Sequence, residues 1–326
     1  MTGHKQFPRF ADLLQREGGL SGTSWGLFPE PERGTPSFIT PDIVLEARDS
    51  IRTGTVFGLD YPADAFDPGM SLKRRAPRHT IYSSHPAHRD DYLDGYYLQG
   101  SSQVDGLRHR RADDVGFYNG TADDRITEGT PDLGIQEWAE HPITGRAVLV
   151  DVEGYRNAAG EPIDHAAGEP LTLGLVQAAM AAQSITTRPG DILMLHTGWC
   201  EWFLALGPEE KQRIRESRKA SGVAQSEEFV AWAWDSQFAL VAADNFAFEC
   251  LPAVPESPYR SSATNDHGMM HQQLLAKLGL PLGELWKLTP LARHMRTTGS
   301  WDAFISIKPL NITGATGSPA NATAIT

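Results

Sequence analysis

The stretch Gln99-Gly100-Ser101-Ser102-Gln103-Val104-Asp105-Gly106-Leu107-Arg108-His109 gathers two side-chain amides, a carboxylate and an imidazole into one short run. Along an extended strand alternate side chains share a face. The spacing therefore predicts that Gln99, Ser101, Gln103 and Asp105 point the same way. Gly106 permits a turn beyond which His109 rejoins them. Such a face can offer oxygen donors to a divalent cation, with the imidazole as ligand or base. The same residues also suit a polar strand edge whose Gln and Asp side chains satisfy one another.

Outward from this run, short apolar stretches alternate with helical patterns. Ala147 to Val152, Ile192 to Leu195, Phe238 to Ala243 and Phe304 to Ile307 read as buried strands. Thr40-Pro41-Asp42 reads as a helix start running toward Arg52, with Thr as the cap and Pro in the first turn. Thr172 to Gln183, Pro208 to Lys219 and His267 to Leu278 are helical in pattern, the last stopped by Gly279. On that last helix His267 and His271 would share a face, since four residues make about one turn. The region from Tyr61 to Asp91, rich in Pro, His, Arg and Asp, reads as a surface loop or an arm against a neighbouring subunit. Alternating strands and helices imply an α/β or α+β fold.

A chain of 326 residues with 40% hydrophobic and 21% charged content can bury a substantial core. A net charge of −12 argues against a general nucleic-acid surface, which needs clustered Lys and Arg. Lys73-Arg74-Arg75 and Arg108 with Arg110-Arg111 are local clusters that suit solvated loops, with Arg108 the one considered for an anionic substrate. No run of about eighteen apolar residues suggests a membrane span. Met1-Thr2-Gly3-His4-Lys5-Gln6 lacks a signal-like apolar segment, so the expected location is cytoplasmic. Cys200 and Cys250 are too few for a disulfide framework and read as packing thiols.

The run from Gln99 to His109 resembles the metal-binding signature His-x-Gly-Thr-His-x-Asp-x-x-x-His of the cyclase family that includes bacterial kynurenine formamidase and isatin hydrolase. Asp105 and His109 match it directly, while Gln99 and Gln103 stand where that family has its first two histidines. The resemblance extends along the chain. Trp25-Gly26 and Gly34-Thr35-Pro36-Ser37-Phe38-Ile39-Thr40 precede the run. Pro189-Gly190-Asp191-Ile192-Leu193, Thr197-Gly198-Trp199, Asp244-Asn245-Phe246-Ala247-Phe248-Glu249 and Gly317-Ser318-Pro319-Ala320 follow it.

The resemblance implies a mixed β-sheet or barrel-like core surrounded by helices, the swivelling β/β/α arrangement. It also implies one catalytic domain over 1–326, irregular over about 1–95, assembled as a homodimer or homotetramer. It implies a metal shell of Asp105, His271 and Glu284, with Gln99 or Gln103 as neutral oxygen donors. Oxygen-rich coordination shifts the expected single ion toward Mn²⁺ or weakly held Zn²⁺. His109 would be the general acid/base, and Arg108, Asp244, Phe246, Glu249 and His267 are candidate substrate contacts. The expected reaction is metal-dependent, arylformamidase-like hydrolysis of an amide, cyclic amide or lactone of a small molecule. The alternatives are a metal-free cyclase, dehydratase or isomerase using His109 with Asp105, and a non-catalytic binding protein on the same scaffold.

Overall fold

The computed structural model describes residues 7–67 and 69–326. The expectation drawn from residues 1–6 lies outside them. In chain order the first strands are β1 (Val56–Gly58), β2 (Arg78–Tyr82), β3 (Asp90–Asp94), β4 (Gln103–Asp105), β5 (Ile143–Asp151) and β6 (Pro170–Leu171). They are followed by β7 (Ile192–His196), β8 (Gly222–Val223), β9 (Leu240–Ala243), β10 (Leu282–Glu284), β11 (Asp302–Ile307), β12 (Gly317–Ser318) and β13 (Ala322–Ile325). Nine of these strands form one curled mixed sheet in the order β1-β13-β11-β5-β7-β9-β10-β4-β12. The sheet with its surrounding helices is the architecture the resemblance implies.

At the centre β5, β7, β9 and β10 run parallel. Strands covered on both faces need apolar side chains in both directions, which is why Ile192-Leu193-Met194-Leu195 and Leu240-Val241-Ala242-Ala243 are unbroken apolar runs. On one flank β11, β13 and β1 are antiparallel. There the pattern alternates, with Ala303, Ile305 and Ile307 buried and the residues between them half-buried. On the other flank β4 pairs antiparallel with both β10 and β12. The parallel strands point their carboxyl ends the same way, so Asp151, His196 and the start of the Asp244 turn meet at one edge.

Side-chain caps start several helices. Thr172 Oγ1 accepts the Leu175 N–H at 3.2 Å to open Leu173–Ala182, and Ser226 Oγ accepts from Phe229 at 3.1 Å to open Glu227–Asp235. Thr40 caps Pro41–Ala47, but this helix stops short of Arg52. Ser50 and Arg52 are drawn instead to Asp302, at 3.0 and 2.7 Å, and the chain tightens into a 3₁₀ turn at Arg48–Ser50.

Three further local expectations need correction. The strand carrying Asp105 begins only at Gln103, because Gly100 closes a turn onto Tyr97 (2.9 Å) and Ser101 bonds the Pro62 carbonyl (3.0 Å). The helix expected from His267 begins after it: His267 is extended, Gly268 has φ +87°, and the wide π-type helix is Gln272–Lys277. The segment 61–91 is not wholly irregular, since β2 and β3 form a separate antiparallel hairpin with Ile81, Tyr82, Tyr92 and Leu93 exposed. Among the described residues no helix is long and apolar enough to cross a membrane.

Candidate active site

The site is built on the β4–β10 pair. Glu284 lies opposite Gln103, and Leu282 opposite Asp105. Opposed side chains in an antiparallel pair share a face, as do residues two apart. Gln103, Asp105 and Glu284 are therefore brought to one surface, where all three are buried. Gln103 Nε2 donates to Glu284 Oε2 at 2.9 Å and to Asp105 Oδ1 at 3.5 Å. Gln99 arrives from the preceding turn. Its Nε2 donates to Asp105 Oδ1 and lies 3.2 Å from His109 Nδ1. Gly317 on β12 makes this approach possible, since a Cβ there would sit 2.8 Å from Gln99 Cγ. A turn from Gly106 to His109 (2.9 Å) returns the imidazole to Asp105, with Nε2 at 3.6 Å from Oδ2.

His271 completes the cluster from the start of its helix. Its Nε2 lies 3.1 Å from Glu284 Oε1 and 4.0 Å from Asp105 Oδ2. Its Nδ1 is hydrogen-bonded to Glu249 Oε1. Glu249 also accepts the backbone N–H groups of Met270 (2.7 Å) and His271 (3.1 Å), so one buried carboxylate fixes both the helix start and the ring. With Nδ1 donating to Glu249, Nε2 is the atom turned toward Asp105 and Glu284. Two consecutive non-glycine residues in the left-handed region, Ala247 (φ +74°) and Phe248 (φ +60°), shape the turn that brings Glu249 there. The Ala247 backbone amide also stabilises the Glu284 carboxylate.

Electrostatics divide these groups. Burial, aided by the neighbouring Glu284, pushes Asp105 up to about 7. Burial opposes charge on His271, but its bonds to Glu249 and Glu284 prevail and push it up to about 10. Burial, with Arg110, His271 and Arg74 nearby, holds His109 well below the usual imidazole range, so it is neutral at pH 7.

Asp105, His271 and Glu284 each offer a ligating atom within 4.8 Å of the others. Asp105 Oδ2 and Gln103 Oε1 are buried without a hydrogen-bond partner among the described residues. An orphaned carboxylate oxygen between an imidazole and a second carboxylate fits a divalent ion. Gln99 and Gln103, however, turn their amide nitrogens to the carboxylates, so either acts as an oxygen ligand only after its amide rotates.

The remaining candidates are not among the three grouped ligating residues. Asp244 is fully buried and accepts from Thr197 N (2.6 Å), Thr197 Oγ1 (2.8 Å) and Gly198 N (2.8 Å), stapling the ends of β7 and β9. Arg108 bonds Thr130 O at 2.7 Å and Thr127 O at 3.1 Å, away from the cluster. His267 is exposed beside Ser261 O. Phe246 reaches a small recess next to Gln99. Glu249 is occupied by His271 and its backbone.

Asp151, Glu153 and His196 form a second cluster of ligating type. The Arg296 guanidinium bonds both carboxylates, and His196 bridges Asp151 (2.8 Å) and Thr289 (3.0 Å), making this an internal ion-pair network. A cleft of about 630 Å³ lies beneath the hairpin, lined by residues such as His79, Asp91 and Tyr92, and contains none of the candidate site residues.

This chain belongs to the cyclase family: the family model described as "Putative cyclase" matches residues 69–250. A solved structure described as a novel cyclase is 30% identical, with a TM-score of 0.80 over 93% of this chain and 99% of that one. Isatin hydrolase A from Labrenzia aggregata, bound to benzyl benzoate, is similar at 13% identity and TM-score 0.57, covering 85% of this chain and 94% of that one. Isatin hydrolase A from Ralstonia solanacearum is similar at 18% identity and TM-score 0.55, covering 88% and 97%. At these identities the two hydrolases show a shared fold. No curated protein matches the chain. Family membership supports an enzyme of the hydrolase or cyclase type.

Proposed function

We propose that this chain is a divalent-metal-dependent hydrolase of a C–N or C–O bond in a small amide, cyclic amide or lactone. The observation that supports it is the convergence of buried Asp105, His271 and Glu284 beside a neutral His109. Asp105, His271 and Glu284 would hold Mn²⁺ or Zn²⁺. When bound, such an ion polarises a substrate carbonyl and lowers the pKa of water.

The chain's own residues supply the rest. His109, kept neutral by burial, accepts a proton from the attacking water and returns it to the leaving nitrogen or oxygen. Gln99 holds the His109 ring against Asp105. Glu249 keeps Nε2 of His271 directed at the other two ligands. Burial of the cluster excludes competing water and strengthens each of these interactions.

The test is elemental analysis of protein purified without chelator or nickel, followed by a panel of aryl amides and lactones. About one equivalent of Mn or Zn with turnover supports the reading. Protein that stays metal-free after metal is added back overturns it.

One observation favours a second reading. The amide N–H groups of Gln99 and Gln103 already donate to the carboxylates that an ion would bind. In that arrangement Asp105, raised to about 7, is the acid and neutral His109 the base of a metal-free cyclisation, dehydration or isomerisation.

A further inference from the structure

Arg74 comes from the basic run Lys73-Arg74-Arg75, whose other two members are exposed. It alone turns in. Its Nη1 donates to the Gln99 carbonyl at 2.7 Å, tethering the guanidinium to the turn that carries Gln99 into the cluster. Among the described residues this is its single hydrogen bond, and no carboxylate lies within ion-pair distance. Asp105 Oδ1 accepts from Gln99 and Gln103, and Glu284 is bonded to Gln103 and His271. The positive charge is nevertheless felt at Asp105, His109 and Glu284. Arg74 is thus a half-buried cation beside the site, with donors to spare.

The recess it lines is mostly apolar, with Ser71 and Gln99 its other polar side chains. Phe66, Met70, Phe246 and Leu285 form its walls, and Gln99 joins it to the cluster. It encloses about 10 Å³, about the room of one water, so a ring-sized ligand enters only with movement of its walls. A guanidinium offers a planar pair of N–H donors that matches a carboxylate, and apolar walls raise the strength of that pairing.

We propose that Arg74 is the anion-binding residue of the substrate site, and that the substrate is a small, flat, largely apolar molecule bearing a carboxylate next to the bond that reacts. This rests on the hydrolase reading only for the bond broken; the recognition stands on Arg74 and its recess. Arg74 would orient the anion while the ring lies between Phe246 and Leu285, leaving the reacting group facing His109.

The experiment is calorimetric titration of metal-loaded protein with benzoate and with benzamide, for wild type, Arg74→Met and Arg74→Lys. Wild type is expected to prefer benzoate. Arg74→Met should weaken benzoate about tenfold or more and leave benzamide within about twofold, with Arg74→Lys between. Equal loss for both probes, no loss for benzoate, or no binding of benzoate to wild type overturns the proposal. Metal content measured on the same samples separates this from the hydrolase reading. Protein that takes up no metal defeats the hydrolase, while the benzoate-to-benzamide ratio still reports on Arg74.

Discussion

Glu284 and Gln103 face each other directly across the β10–β4 pair, with Gln103 Nε2 donating to Glu284 Oε2 at 2.9 Å. The carboxylate thereby has a neutral partner at a position where the family signature carries an imidazole. Imidazole nitrogen is a better ligand for zinc than an amide oxygen. The double change Gln99→His and Gln103→His is therefore expected to tighten zinc binding roughly tenfold or more, read by competition with a chromogenic chelator. Unchanged affinity would mean that neither position addresses the ion.

Asp105→Asn removes the charge at the centre of the cluster while keeping its shape. Metal content and turnover should fall together. Elemental analysis that finds the ion fully retained takes Asp105 out of the ligand set.

His109→Ala should separate binding from chemistry. The ion stays, because Asp105, His271 and Glu284 are intact, and the rate falls by about 10²–10⁴. A variant running near the wild-type rate has another base.

Glu249 acts through His271. Glu249→Gln still accepts the backbone N–H groups of Met270 and His271 but binds the imidazole less strongly. Metal affinity is expected to drop about 10–100-fold with the melting temperature little changed. A folded variant with undiminished affinity would remove Glu249 from this role.

Asp302 gives a pH signature away from the site. Burial works against its ionisation, but Arg52, Arg146 and Ser50 hold its carboxyl down to about 2, against an ordinary 3.8. A depressed folded-state pKa stabilises the protein above the unfolded value and is lost as pH falls through the folded one. Asp302→Asn should cost up to about 2 kcal/mol near neutral pH, with the gap from wild type closing between about pH 4 and pH 2. Urea midpoints across that range check it, and a gap independent of pH would assign the loss to packing instead.

The parallel centre of the fold was legible because doubly covered strands leave uninterrupted apolar runs, as at Ile192 and Leu240. Gln103 and Asp105 share a face as the alternation requires, but Gln99 reaches them from a turn rather than a strand. A signal was present in Gly100, whose N–H closes that turn. His267 lost its helical place to Gly268, whose left-handed conformation breaks the turn between the two histidines. The roles of Glu249 and Arg74 depend on chain segments far apart in sequence, which local patterns do not encode. In Lys73-Arg74-Arg75 nothing local distinguishes the one cation that faces inward.

Ala247 and Phe248 hold conformations that side chains with a Cβ adopt at a cost, typically about 1 kcal/mol or more each. Ala247→Gly would remove part of that cost and make the folded state easier to reach. It would also free the backbone that aims Glu249 at His271 and an amide at Glu284. At this residue resistance to unfolding and order in the reacting groups pull in opposite directions, so the most heat-resistant version of the protein need not be the fastest.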